Sequence, residues 1–383
     1  MRLLMALPDK RVRGGPPSHL YLLRDALAEQ GVDVRDFLYG GRTHDESPLQ
    51  KVRGRFLDLL AFPLHLLRQR PDVVQLNSAF DRKGVARDVF FVPLARLLGQ
   101  RVLLKFHGSD LPFLDHAPLV WQLLSWLVVR SAQLVCVLSH EERAAFERRY
   151  PGTRAEVVKN ALDLGRYRDG YDFRARYGIP RERRLLLFVA RFIESKGLRE
   201  VLHALARVVG RHDVHAALVG DGPVRQEMQA LAASLGLAER TSFTGYIPED
   251  DTVSAYRAAD LLVFPTYHQE GMPMVIFHSL ACGLPVVTTR IRAAADWLSG
   301  PDQAVFVPPR DPEALASAVQ GLLDDPERAR RIGENGRRVA LRFERTAVAR
   351  EFLTLYESLL SPESAPLGAP PRDGITPPRG RWR

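Results

Sequence analysis

The feature that most constrains this chain is a rhythm: short, nearly uncharged apolar runs alternate with amphipathic helical stretches, through residues 1–180 and again through 181–340. A strand apolar on both faces must be covered on both faces. A helix between two such strands is the connection a parallel sheet needs. The first series predicts strands at Arg2–Leu7, Val32–Leu38, Asp72–Leu76, Arg101–Phe106, Leu134–Leu138 and Glu156–Lys159. Pro180 and the charge run 181–184 punctuate the chain. A second series follows at Leu185–Ala190, His215–Val219, Thr241–Phe243, Leu261–Phe264, Pro285–Thr288 and Ala304–Val307. The expected fold is α/β, with two Rossmann-like, doubly wound parallel-sheet domains facing a central cleft, as the length of 383 residues also favours. The domains are expected over 1–180 and 181–340, with a helix over 341–360 packing back on the first. That helix belongs to a helical stretch running from Glu327 to about Leu360, after a helix over Pro312–Leu323 capped by Asp311. The tail 361–383 carries six prolines and four arginines without periodicity, and is expected to be disordered.

Charge enters because it is uneven. Residues 1–180 hold 28 Lys and Arg against 20 Asp and Glu, a balance of +8; residues 181–360 hold 22 against 23, a balance of −1. The excess on one half suits an anionic partner there, although 48 of the 54 basic residues are Arg, as an Arg-rich composition alone would give. Nucleic acid is not the expected partner, since the basic residues are not interleaved with aromatic platforms. Cys136 and Cys282 lie in apolar runs and read as buried free thiols of a reducing compartment. The N-terminal apolar segment is too short for a signal peptide, and the longest apolar stretch, Ala117–Val129, falls short of the ~20 residues of a spanning helix. The expected location is the cytoplasm, in solution or peripheral on the inner face of the membrane. One segment invites the second reading: Arg53–Arg70 has basic ends around an apolar middle, and Trp121 and Trp126 sit in another apolar helix.

Several strand ends carry polar chemistry. Gly14-Gly15 precedes a helix reaching about Gln30 and lets backbone approach a ligand beside a helix N-terminus. His107-Gly108 ends a buried strand, where an imidazole is placed to hydrogen-bond a cleft ligand. Arg191 and Lys196-Gly197 follow another strand and would set two cations and a helix N-terminus around an anion such as a diphosphate. Gly220-Asp221-Gly222-Pro223 is a tight turn, and Tyr246-Ile247 follows the next strand. Glu270-Gly271-Met272-Pro273 leads into a helix over Met274–Cys282 that Gly283 should stop. Glu270 could cap that helix or accept hydrogen bonds from sugar hydroxyls. Neither a Gly-x-Gly-x-x-Gly fingerprint nor a Gly-Lys-Ser/Thr loop is present, which argues against dinucleotide and P-loop chemistry. No His or Cys spacing suggests a metal.

Taken in order, Gly14-Gly15, His107-Gly108, Asn160-Ala161-Leu162-Asp163, Arg191 with Lys196-Gly197, Gly220-Asp221-Gly222-Pro223 and Glu270-Gly271 resemble the retaining GT-B glycosyltransferases of family 4. The resemblance covers residues from about 2 to 355. It implies a nucleotide-sugar donor held by the C-terminal half and a glycan or polyprenyl-(di)phosphate-linked acceptor on the N-terminal half. It implies a reaction without metal or other cofactor, in bacterial surface polysaccharide or glycolipid synthesis. By position it assigns the chemistry to His107, Glu270, Arg191 and Lys196, with the two cations on the diphosphate. Donor contacts would come from Gly15, Gly220, Asp221, Gly222, Tyr246, Ile247, Gly271, Met272, Met274 and His278, and Gly14 and His19 would lie on the acceptor side. His278 departs from the pattern, since the family usually has a second Glu there for the nucleoside ribose. An imidazole cannot bind two hydroxyls as a carboxylate does. Ala161 where glycine is frequent, and 292–296 in place of a glycine-rich stretch, are lesser departures. The alternative is a degenerate, non-catalytic homologue that binds a glycan or a partner protein.

Overall fold

The computed structural model describes residues 1–11, 15–39, 47–168, 170–300 and 302–361. Gly14 and the tail beyond residue 361 lie outside the described residues. The first half runs β1 (Arg2–Leu7), α1 (Gly15–Glu29), β2 (Asp33–Leu38), α2 (Pro48–Gln69), β3 (Val73–Phe80), α3 (Arg82–Leu97), β4 (Val102–Ser109), α4 (Leu111–His116), α5 (Leu119–Ser131), β5 (Leu134–Val137), α6 (His140–Arg149) and β6 (Ala155–Val157). The short α7 (Phe173–Arg176) leads into the second half. There the order is β7 (Arg184–Val189), α8 (Leu198–Val208), β8 (Val214–Val219), α9 (Arg225–Ser234), β9 (Thr241–Gly245), α10 (Glu249–Ala258), β10 (Leu261–Phe264), α11 (Met274–Ala281), β11 (Val286–Thr289), α12 (Arg292–Trp297) and β12 (Val305–Val307). Helices α13 (Pro312–Asp324), α14 (Pro326–Ala340) and α15 (Arg345–Leu360) follow, the last elements of the described residues.

The two halves are separate six-stranded sheets, in the orders β2-β1-β3-β4-β5-β6 and β12-β11-β10-β7-β8-β9, each parallel throughout. Each has one point where the strand order reverses, between β1 and β3 in the first and between β7 and β10 in the second. Loops leaving neighbouring strands there diverge to opposite faces and open a crevice at the carboxyl ends. All twelve predicted strands are present.

The structure corrects the sequence reading in four places. Strands β3 and β4 run on to Phe80 and Ser109, past the expected ends at Leu76 and Phe106. Their polar residues continue the sheet because they are satisfied inside it: Asn77 Nδ2 donates to the Ala6 carbonyl at 2.7 Å, and Arg87 donates to Ser78 Oγ at 2.7 Å. The stretch from Glu327 to Leu360 is two helices rather than one, separated by a 3-10 turn over Leu341–Phe343. Here the chain crosses back to the first sheet, and the break is tied to the interdomain segment. Leu162 N donates to the Phe343 carbonyl at 2.7 Å and Arg345 N to the Leu162 carbonyl at 2.8 Å. Helix α15 then packs beside α1, with Arg345 on Glu29 at 2.7 Å and the Tyr356 hydroxyl on Gln75. Cys136 is buried and its thiol pushed up to about 12, but Cys282, at the end of α11, is only half-buried; both are free. Helix α11 starts at Met274, directly after Pro273 as expected, but ends at Ala281 rather than Cys282.

Candidate active site between the two sheets

A cavity of about 290 Å³ lies where the two carboxyl edges meet, lined among others by His19, His107 and Asn160 from the first half and Lys196, Glu270 and Met274 from the second. Val189 at the end of β7, Ala190 just beyond it and Phe264 at the end of β10 also line it. The cavity thus sits at the strand-order reversal of the second sheet, where an open α/β sheet receives ligands.

Lys196 reaches it because β7 is followed by a 3-10 turn over Glu194–Lys196 that ends at Gly197. Gly197 has φ +83°, and a Cβ there would stand 2.5 Å from the Pro265 carbonyl oxygen, so no other residue fits this approach of the two loops. Lys196 Nζ donates to Glu270 Oε1, with both side chains largely buried (12% and 18% exposed). Burial and the like charge of Arg191 pull the Lys196 ammonium down to about 8. The partner carboxylate acts in the opposite sense and holds it charged at neutrality. Glu270 therefore does not cap α11, the more ordinary of its two expected roles. Arg191 is exposed and outside the cavity lining, yet close enough for its charge to act on Lys196.

The opposite side is made of neutral hydrogen-bonding groups. His107 is pushed well below the ordinary imidazole range by burial first, then by the charges of Lys105, His19 and Arg87. Its Nε2 faces Asn77 Oδ1 at 3.4 Å and its Nδ1 faces His19 Nε2 at 3.0 Å. Asn77 is oriented from outside this pair: its amide nitrogen donates to Ala6, and its oxygen accepts from Gln75 Nε2 at 2.9 Å. An oxygen facing His107 puts the His107 proton on Nε2, so Nδ1 accepts from His19. Gln75 in turn accepts from the Tyr356 hydroxyl, so a line of contacts runs from the C-terminal helix to the cavity. Lys105 is fully buried beneath, donates to Asn160 Oδ1 at 2.9 Å, and is brought down to about 7 by desolvation.

The two sides approach closely. A Cβ on Gly271 would stand 3.0 Å from both Gly108 Cα and the His107 carbonyl oxygen. Farther round the interface, Ser18 Oγ donates to Glu249 Oε2 at 2.6 Å, and Arg292 stands 3.7 Å from the buried Glu142.

Of the predicted site residues, the structure gathers His19, His107, Lys196, Glu270, Gly271, Met272 and Met274 around one cavity. His19, expected on the acceptor side, is in direct contact with His107 in that same space. Gly15 opens α1, and the 220–222 turn closes β8 against β7: a Cβ on Gly220, at φ +139°, would meet the Ala190 carbonyl oxygen at 1.8 Å. Asp221 faces outward and pairs with Arg225 at 2.9 Å; Tyr246 is exposed and Ile247 buried, and none of the three lines the cavity. His278 is also absent from the lining. It is buried among Tyr167 and Tyr256, shares a hydrogen bond with the Tyr167 hydroxyl, and is driven down to about 3 by desolvation and the nearby Arg166. Its Nε2 lies 3.6 Å from Oε1 of Glu249, which is carried by α10. Asn77, Gln75, Lys105 and Tyr356 were not among the predicted site residues. The signal available was alternation: Gln75 and Asn77 are polar at alternate positions of a mostly apolar strand. Among the described residues, no three His, Cys, Asp or Glu side chains gather as a metal site would require.

Comparison with known proteins bears on both halves. The family described as Glycosyltransferase Family 4 matches residues 13–166, and that described as Glycosyl transferases group 1 matches 171–339. A GDP-mannose-dependent alpha-(1-6)-phosphatidylinositol monomannoside mannosyltransferase of Mycolicibacterium smegmatis is 30% identical over 262 residues, 65% of this chain and 68% of that protein. A D-inositol 3-phosphate glycosyltransferase of Corynebacterium efficiens is 25% identical over 91% of this chain and 92% of its own length. Among solved structures, sucrose-phosphate synthase from Thermosynechococcus elongatus superposes with a TM-score of 0.78 at 22% identity, covering 94% of this chain and 99% of that one. Anabaena Alr3699/HepE, solved in complex with UDP and glucose, gives 0.73 at 19% identity over 94% of this chain and 100% of its own.

Proposed function

We propose that this chain, which belongs to the group 1 glycosyltransferases of family 4 and has their GT-B fold, moves a sugar from a nucleoside-diphosphate sugar to a glycan or polyprenyl-(di)phosphate-linked acceptor, with retention of anomeric configuration. The observation that carries the reading is the meeting of Lys196 and Glu270 from one sheet with His107 from the other around a single cavity.

The chemistry follows from what each group offers. A departing nucleoside diphosphate gains negative charge, and Lys196 with Arg191 meets it with fixed positive charge in a partly dry site. The pairing of Lys196 with Glu270 is exchanged on donor arrival: the ammonium turns to the diphosphate and the carboxylate accepts from sugar hydroxyls. His107, neutral and held in one tautomer, hydrogen-bonds the sugar near its reacting carbon without adding a positive charge there. The acceptor hydroxyl attacks the anomeric carbon from the face on which the bond to the diphosphate oxygen breaks, and its proton passes to that departing oxygen, which gives retention without a covalent enzyme intermediate. The cations do what a metal would otherwise do, so turnover is expected to persist in EDTA. The setting would be synthesis of a bacterial surface polysaccharide or glycolipid, at the cytoplasmic face of an anionic membrane.

The test is a panel of UDP-, GDP- and ADP-sugars, with GDP-mannose included because a relative's name carries it. Hydrolysis and transfer are followed in EDTA, and the product anomer is read by NMR. Turnover of one donor, lost in Lys196→Ala and reduced in Glu270→Gln, supports the reading; an inverted anomer overturns retention. If no donor turns over and no nucleotide raises Tm, the chain is a non-catalytic binding homologue, the reading that the burial of His278 away from the cavity favours.

A further inference from the structure

Helix α2 is apolar on two faces. Phe62 and Leu66 point into the core of the first domain, as a surface helix requires. Val52, Phe56, Leu60 and Leu67, at spacings of four, four and seven, instead lie along the outer face, with Phe56 60% and Leu67 61% exposed. The feature continues sideways. Helix α3 packs between α2 and α5 on the same side of the sheet, and α5 exposes Leu119, Val120, Leu123 and Trp126 from its outer face. Phe90 and Leu97 of α3 add to it. Most of the exposed large apolar side chains of the described residues belong to these three helices, and a patch of this kind marks a surface that meets something apolar.

The charges on the same helices say what. Helix α2 presents Arg53, Arg55 and Arg68; α3 presents Arg82, Lys83 and Arg96; α5 presents Arg130. Their two acidic residues, Asp58 and Asp88, are both buried (4% and 0% exposed). Every described exposed charge on the three helices is therefore positive. A second copy of the chain is a poor occupant, because a two-fold contact would set cation against cation. A bilayer with anionic headgroups matches both the apolar ridge and its cationic rim.

We propose that the outer face of α2, α3 and α5 docks this protein on an anionic lipid bilayer. The surface deepens the membrane-side setting of the proposed transferase and rests on it only for its purpose. The N-terminal ends of α3 and α5 lie at the carboxyl edge of the first sheet, the edge that faces the cleft. A second cavity of about 450 Å³ opens there, lined by Arg82, Lys83, Asp110 and Phe113 among others. Docking by this face would bring that edge to the headgroup layer, where a lipid-linked acceptor presents its polar end.

The experiment uses the full chain, floated with phosphatidylcholine vesicles with and without phosphatidylglycerol, at low and high salt. Binding to the anionic vesicles alone, weakened by salt, is expected. Phe56→Ser/Leu60→Ser/Trp126→Ser should weaken it by at least about tenfold, since three exposed apolar side chains no longer enter the interface. Arg53→Ser/Arg55→Ser/Arg68→Ser should weaken it roughly a hundredfold. All six side chains are exposed, so Tm should be unchanged. Hydrolysis of the donor identified above, which needs no membrane, should also be unchanged. Absence of binding to anionic vesicles overturns the proposal. So does equal binding by the serine variants, or a dimer in solution that the Phe56→Ser/Leu60→Ser/Trp126→Ser variant dissolves. If vesicles are bound but no donor turns over, the docking surface stands and the transferase reading falls.

Discussion

The two sides of the cavity are built on opposite electrostatic plans. The second sheet contributes a fixed pair of opposite charges, Lys196 and Glu270, with Arg191 nearby. The first contributes an imidazole held neutral, a second imidazole against it, and an amide that fixes the proton of the first. Charge and alignment are thus assigned to different domains. One consequence is that variants on the two sides should fail differently, in size and in pH dependence.

The largest effect is expected on the charged side. Lys196→Ala removes a cation that acts on the departing diphosphate, and kcat/KM for the donor should fall by about 10²–10³. A loss below tenfold would break the comparison, because the charged side would then not carry the reaction. His107→Ala removes a neutral hydrogen bond and should cost about tenfold. Nucleotide binding, read as the rise in Tm, should be weakened by Lys196→Ala and left nearly intact by His107→Ala.

Asn77→Asp asks whether neutrality is what the first side is for. The substitution keeps shape and puts a carboxylate 3.4 Å from His107 Nε2, in place of an amide oxygen. An opposite charge there favours the imidazolium, so the His107 pKa should rise from well below its ordinary range. Activity should then fall several-fold as pH is lowered, in a range where the parent chain shows no such limb. An unchanged profile would mean that Asn77 does not set the state of His107.

These differences also bear on what could be read from the chain. All twelve strands were legible, because a buried parallel strand must be apolar along its length and its ends must turn. Lys196, Glu270 and His107 were legible as polar residues at the carboxyl ends of predicted strands or in the loops that follow them, and a doubly wound topology sends such positions to one crevice. The line from Tyr356 through Gln75 and Asn77 was not, since its members are 281 residues apart and meet only because α15 returns to the first sheet. The position of His278 outside the cavity lining was not legible either, for a related reason. His278 stands about one turn into α11, on a face that the helix turns toward Tyr167 and Tyr256 rather than the cavity. The break before α15 was invisible because 341–344 has good helical composition, and tertiary contacts with Leu162 end the helix there.

The smallest expected effect is also the most specific. If Lys196 must be charged to hold the donor, kcat/KM should decline on the alkaline side as Lys196 loses its proton, at a pH that burial and Arg191 bring down to about 8 and the Glu270 carboxylate raises again. The two neighbours push that value in opposite directions, so their removal should move the limb oppositely. Arg191→Ala takes away a like charge, which favours the ammonium, and the limb should move to higher pH. Glu270→Gln takes away an opposite charge, which favours the neutral amine, and the limb should move to lower pH. Each shift is expected to be a fraction of a unit to about one unit, on top of any loss in rate. Movement in the same direction, or no movement, would place the titrating group elsewhere and take Lys196 out of the charged side. His107→Ala serves as the reference. Its loss lies on the neutral side, so its profile should keep the parent's limb while its rate falls.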